Sequence, residues 1–297
     1  MKHVKPREQR TALGVATMGL AVLFFTGIDS SAKWLILAGL APIQVVFIRY
    51  AGHFILSLLL YVPQSGFSEF RSNAPFKQFL RSTLLFSGTI FNFFALKFLP
   101  LTLTTTIFFA VPIVVTLAAI PTLGEKVGIR RIAAVCAGFA GVLITIQPWG
   151  AVFNPAIFLS LGALMCASGY FVMTRLLAGI DSNATNQLWS SGLATVVLLP
   201  FGIIYWVAPE GGLQFVIIFL IGFFGLAGHI ATTTASRLAD ASIIAPMVYT
   251  QIIFAAAISY FVFDQPPTIW TLVGGLVIIA SGLYIWHRER QKAAREE

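Results

Sequence analysis

Ten runs of roughly twenty apolar residues, set end to end with almost no polar chain between them, limit what this sequence can become. They fall at Thr11–Leu37, Ile43–Val62, Gln78–Leu96, Leu101–Ile120, Ile129–Gln147, Ala156–Leu177, Gln187–Val207, Leu213–Ser236, Ala241–Phe263 and Thr268–Trp286. Each is long enough to cross a bilayer, where lipid-exposed backbone must satisfy its hydrogen bonds internally, as a helix or in a closed barrel. Strict two-residue alternation is absent, so helices are expected. Prolines stand at the joints, at Pro42, Pro100, Pro121, Pro148, Pro209 and the Pro266-Pro267 pair, where a helix has to stop. Composition closes off the soluble alternative: 58% of the 297 residues are hydrophobic and 10% charged, against about 25% charged in soluble domains. The chain reads as an all-α polytopic membrane protein whose partner is the lipid bilayer.

The net charge of +8 would point to nucleic acid in a soluble chain, but here the cations sit in short loops and tails. No nucleic-acid motif accompanies them, so no nucleic-acid partner is expected. With the N-terminus inside, sixteen of the nineteen Lys and Arg fall on the inner side, among them Arg71, Lys77, Arg81, Lys126, Arg130, Arg131, Arg175 and Arg237. Only Lys33, Arg49 and Lys97 remain, near the outer ends of spans. That asymmetry places both termini in the cytoplasm. Asp29 and Lys33 lie near the far end of the first run, which has no small-residue cleavage pattern, so it reads as a retained span. Cys136 and Cys166 lie inside spans and suggest neither disulfide nor metal site. Nucleotide-binding, metalloprotease, serine-nucleophile and calcium-loop patterns are missing, so no cofactor, no metal and no enzyme is expected.

The stretch Ala95–Gly141 recurs as Ala235–Gly282: Lys97 answers Arg237, Glu125 answers Asp264, and upstream Gly88 matches Gly228. Five spans separate the copies. An odd number reverses direction, so the expectation is two inverted five-helix repeats: a first over 11–147 and a second over 154–286, with cytoplasmic tails at 1–10 and 287–297. Such symmetry suits a carrier with two states facing opposite sides, its site near the midplane between the halves.

Residues ALKFLPLT, FFAVPIVVTLAAIPTLGEKV and AGFAGVLI in the first half, and their counterparts from Ala235 to Ile285 in the second, resemble the drug/metabolite transporter superfamily. The likeness is to its ten-helix branch of two EamA domains, with Asp264-Gln265 standing where the usual pattern has Gly-Glu. The resemblance implies a bacterial inner-membrane secondary transporter for a small organic solute. Its central cavity would be lined by the first four helices of each half. Gly27–Leu35 and Val45–Tyr50 are similar to a subgroup that includes riboflavin-uptake and S-adenosylmethionine-uptake transporters, and also to exporters of amino acids or related metabolites. Riboflavin uptake is the reading preferred.

Ionisable residues inside spans cost about 2.5–3.5 kcal/mol each at mid-membrane and so mark candidate sites. Asp29 and Lys33 lie one turn apart, spaced either for a structural ion pair or for a gate or substrate contact. Arg49 and His53 are also one turn apart: Arg49 suits a carboxylate or an aromatic face, or else pairs with Asp29. Asn92 repeats as Thr232, and Pro112, a candidate hinge, corresponds to Gln251. The substrate-binding candidates are Asp29, Arg49, Asn92, Tyr170, His229, Tyr249 and Gln251; the proton carriers would be Asp29, His53 and His229. Trp189 offers a further amphipathic ring. Small residues at Ala134, Gly138, Gly141, Gly275 and Gly282 permit close helix contact, within the chain or in a homodimer.

Overall fold

The computed structural model describes residues 10–123, 129–150, 153–177, 179–239 and 245–296. Among them every regular element is helical: α1 (Thr11–Leu37), α2 (Pro42–Ser65), a 3₁₀ turn (Gly66–Phe70), α3 (Pro75–Leu96), α4 (Leu101–Phe108), α5 (Val111–Leu123), α6 (Ile129–Ile146), α7 (Ile157–Leu176), α8 (Asn183–Ile204), α9 (Gly212–Leu238), a second 3₁₀ turn (Ala245–Thr250), α10 (Gln251–Phe261) and α11 (Ile269–Glu296). Eight stretches are long and apolar enough to span a bilayer, taking α4 with the start of α5 as one, and two shorter apolar helices, Ile132–Ile146 and Met247–Phe261, bring the number to ten. The protein is a multi-pass membrane protein.

Local chemistry sets the boundaries. Pro42 and Pro75 open α2 and α3 in the first turn, where a missing N–H costs nothing. The Ser182 side chain caps α8 by accepting from the Thr185 N–H at 3.0 Å. Inside the spans hydroxyls fold back on their own helix, as Thr26 does to the Val22 carbonyl at 2.9 Å and Ser168 to Leu164 at 2.8 Å, so little polar surface meets lipid.

Three spans depart from the expected outline. The fourth is interrupted at Phe109–Ala110, because Pro112 has no N–H for the Phe108 carbonyl and the turn tightens, with Ala110 donating to Ile107 at 3.0 Å. Pro121 lies within α5 instead of at a joint. The ninth enters as a 3₁₀ turn, and its expected first residues, 241–244, lie outside the described residues, as does Glu125. The tenth carries on as helix through the C-terminal tail to Glu296. Asp264 adopts a left-handed backbone (φ 52°) after α10, with Asp264 N–H on the Tyr260 carbonyl and Gln265 N–H on that of Ser259. A left-handed backbone is the conformation glycine adopts most readily, and glycine is the residue the usual Gly-Glu pattern has at this place.

Helices pack in antiparallel pairs drawn one from each half. The start of α1 lies against the end of α9, where Arg10 N–H reaches Leu238 O at 3.2 Å, and its end against the start of α9, where Gln214 reaches Ala38 O at 3.5 Å. Exchanging the halves turns this pair into α7 with α3, which also pack closely. Equivalent helices α2 and α8 run antiparallel, with Gly202 against Phe47 and Gly192 against Phe54; so do α6 and α11. Antiparallel pairing of equivalent helices is what an inverted repeat requires. The small face of α6 is used inside the chain: Ser281 donates to the Ala134 carbonyl, and a Cβ on Gly274 would sit 2.5 Å from the Gly141 carbonyl.

Candidate functional site

Between the halves, α1, α2, α3 and α9 bring five of the expected residues together. Asp29 on α1 accepts a hydrogen bond from Asn92 Nδ2 on α3 at 2.9 Å. Arg49 on α2 is 5% exposed, and its charge reaches Asp29, His53 and His229. The guanidinium lies over the Tyr50 ring, 4.2 Å from its centroid, and its Nε and Nη1 have no partner. Tyr50 itself is held by Thr89 at 2.8 Å. His53, 1% exposed, stacks on His229 of α9 with ring centroids 5.7 Å apart and planes at 19°; neither nitrogen of His53 is bonded. Phe25 meets His229 edge-on at 5.5 Å. This approach is made by glycine: a Cβ on Gly222 would sit 2.9 Å from the Cα of Gly52, so only bare backbones let α2 and α9 close on the imidazoles.

The Asp29–Lys33 pair does not form. Lys33, 2% exposed, turns to the end of α3 and donates to the Leu99 carbonyl at 2.6 Å and that of Leu96 at 3.4 Å. Carbonyls at a helix C-terminus carry partial negative charge and are free to accept, so they compete with a carboxylate one turn back. Arg49 makes no ion pair with Asp29 either, which leaves the carboxylate with an amide partner and the guanidinium with open donors. Groups buried in this way are expensive to leave unmade.

The other candidates lie apart. Tyr249 packs edge-on against Phe109 at 5.4 Å in the apolar cluster of α4 to α7 and α11. Gln251 opens α10, and Pro112 is exposed beside the α4–α5 break. Thr232, the repeat of Asn92, bonds back to the Gly228 carbonyl at 2.9 Å, so the two halves use that position differently. Trp189 donates to the Phe70 carbonyl at 3.0 Å, away from the cluster.

Tyr170 leads to residues the sequence did not single out as a site. Its hydroxyl accepts from Arg81 Nη2 at 2.9 Å. Arg81, read from sequence only as a cytoplasmic-side cation, is 6% exposed and also donates to Thr174, Ser190 and the Asn186 carbonyl. Gln78, one turn before it, bonds Asp181 at 2.9 Å and Asn186 at 2.5 Å. Burial opposes ionisation of Asp181, but hydrogen bonds from Ser72, Asn73 and Gln78 outweigh it and hold the carboxyl below the usual carboxylate range. The i, i+3 spacing of Gln78 and Arg81 was visible in the sequence; that Asp181 would meet them was not.

A bundle of inverted halves with a charged, incompletely bonded centre is the architecture of a carrier. The EamA-like transporter family is matched over residues 12–147 and again over 154–286. The chain belongs to that family. It is a membrane transporter of the EamA type. A solved crystal structure shares the fold, with a TM-score of 0.60 at 16% identity over 93% of this chain and 96% of the other. Among curated relatives, the S-adenosylmethionine uptake transporter of Rickettsia felis is 27% identical, covering 85% of each chain. The same-named protein of Rickettsia bellii is 26% identical over 96% of this chain and 97% of its own. The riboflavin transporter of Vibrio cholerae is 26% identical over 99% of this chain and 98% of its own.

Proposed function

We propose that the protein carries riboflavin into the cell across the bacterial inner membrane by alternating access, with Asp29, Arg49, Asn92, Tyr170 and His229 contacting the solute. One observation carries the reading. Unpartnered polar atoms of Arg49, His53 and Asn92 lie beside paired planar groups, the guanidinium on Tyr50 and the two stacked imidazoles. Planar faces receive a flat ring, and open donors and acceptors receive its carbonyl and imide edge. A relative named as a riboflavin transporter supports the same solute. If transport is coupled, Asp29, His53 and His229 carry the proton, and the α4–α5 break beside Pro112 is where the fourth span bends.

A second reading, S-adenosylmethionine uptake, is favoured by Asp29, which has no cationic partner and would suit a sulfonium or ammonium group, and by the Rickettsia relatives. The test is a riboflavin auxotroph lacking uptake, given this protein and limiting riboflavin. Growth and labelled flavin accumulation support the first reading; a correctly inserted protein that rescues neither sinks it, and labelled S-adenosylmethionine is then supplied.

A further inference from the structure

Two connections meet at the end of the bundle where α2 gives way to α3 and α7 to α8. The first brings Glu69, Ser72 and Asn73; the second brings Asp181 and Ser182. Asp181 accepts from Ser72 Oγ at 2.5 Å, from the Asn73 N–H at 2.8 Å and from Gln78 Nε2 at 2.9 Å. Asn73 Nδ2 also reaches the Ile180 carbonyl at 3.1 Å. Glu69 takes hydrogen bonds from Ser182 and Thr185, the latter at 2.8 Å. Two carboxylates thus bind one half of the molecule to the other through charge-assisted bonds.

Among the described residues, the opposite end is tied far more lightly. There Gln44, near the start of α2, exchanges two hydrogen bonds with the Val207 backbone, at 2.8 and 3.0 Å. Gln214 adds one to Ala38. Exchange of the halves maps the α2–α3 connection onto that between α8 and α9, and the start of α8 onto the start of α2. The two ties are therefore symmetry mates, one built from acids and the other from amides.

The heavy tie also reaches inward. Asp181 bonds Gln78, Gln78 Oε1 accepts from Arg81 at 3.5 Å, and Arg81 bonds Tyr170 and lies 4.8 Å from its ring. A continuous set of side chains joins the connection to Tyr170, which the function proposed above puts in contact with the solute.

We propose that Asp181 is the catch of a gate at this end, and that Gln78 and Arg81 are positioning residues that tie the catch to the solute site. In an inverted repeat the two ends open alternately, so releasing one tie must tighten its mate. A solute that displaces Arg81 from Tyr170 would loosen the catch; with the site empty, the bonds re-form and hold this end shut. The Gln44–Val207 tie, with neutral partners, opens at less cost, which biases the empty carrier towards opening at that end.

The decisive readout is amide hydrogen exchange on the purified protein in lipid nanodiscs, which needs no knowledge of the solute. Asp181→Ala should speed exchange about threefold or more in peptides spanning 72–82 and 183–190. It should slow exchange in peptides spanning 38–44 and 205–214 at the far end. A tie that only braces a loop would change the first set and leave the second alone, and that result overturns the proposal. A second variant guards against simple misfolding: Asn73→Cys with Ile180→Cys, in a chain whose Cys136 and Cys166 are alanine, closed by a short thiol cross-linker. Closing it should speed exchange at 38–44 and 205–214, reversibly if the linker is cleavable. Unchanged far-end exchange in the cross-linked protein likewise overturns the gate.

Discussion

Arg49 is the residue on which the solute site depends most. Its guanidinium is buried against Tyr50 with Nε and Nη1 open, so binding a solute there replaces an unmet demand instead of competing with an existing bond. Hydrogen bonds to charged groups contribute about 1.5–3 kcal/mol each, so Arg49→Ala should cut solute affinity about tenfold to a hundredfold. Insertion and yield should be unchanged. Arg49→Lys should recover little, because an ammonium has neither the flat face nor the fork. Competition binding on the purified protein checks both. Asp29→Asn keeps the shape and the Asn92 neighbour but removes the charge. A cationic solute should then lose about tenfold or more in binding affinity, whereas neutral riboflavin, which an amide at this place can still hydrogen-bond, should lose less. Spacing in the sequence marked both residues, since charge inside a span is rare. It could not say that Lys33 would prefer the carbonyls of Leu96 and Leu99: a turn of separation shows which groups are able to meet, while the end of a neighbouring helix decides which do.

At the scale of elements, the meeting of α2 and α9 is the tightest constraint around the site. Gly222→Ala would press a methyl onto Gly52 and the His53 backbone, forcing the helices apart and separating the imidazoles. Overpacking of this kind costs about 1–3 kcal/mol, so the melting temperature should drop and transport should fall with it. The connections behave differently. Asp181's folded pKa lies below its unfolded one, so its contribution is complete above the unfolded value and is lost only as pH falls through the folded one. The groups facing it are Ser72, Asn73 and Gln78, none of which titrates. Between pH 5 and 8 the tie should therefore hold, and Asp181→Asn should leave the shape of any pH profile of transport in that window unaltered. A changed profile would show that the tie titrates there after all. None of this was legible in the sequence, because the tie joins connections about a hundred residues apart, as do Arg81 and Ser190. The helices themselves were legible, since a bilayer fixes their length and prolines mark most of their ends. The break before Pro112 could be anticipated from proline alone, whereas Asp264 in a glycine conformation needed the backbone.

Across the whole molecule, inversion was readable from the chain because five spans separate the repeats, and the antiparallel pairing of α2 with α8 and of α6 with α11 agrees with it. Orientation rests on the distribution of Lys and Arg. Reporter fusions at each terminus should both report the cytoplasm; external signals from both would put the Asp181 end on the outer face, and a split result would contradict ten spans. Relatives of nearly equal identity are named for two different solutes, so the solute is the point to measure. The most direct measurement is uptake by the purified protein in sealed liposomes, with labelled riboflavin and labelled S-adenosylmethionine supplied separately. Saturable riboflavin uptake, weakened about tenfold or more by Arg49→Ala and not competed by excess S-adenosylmethionine, is the predicted result. Saturable S-adenosylmethionine uptake with no movement of riboflavin would contradict it, and so would riboflavin uptake that Arg49→Ala leaves intact.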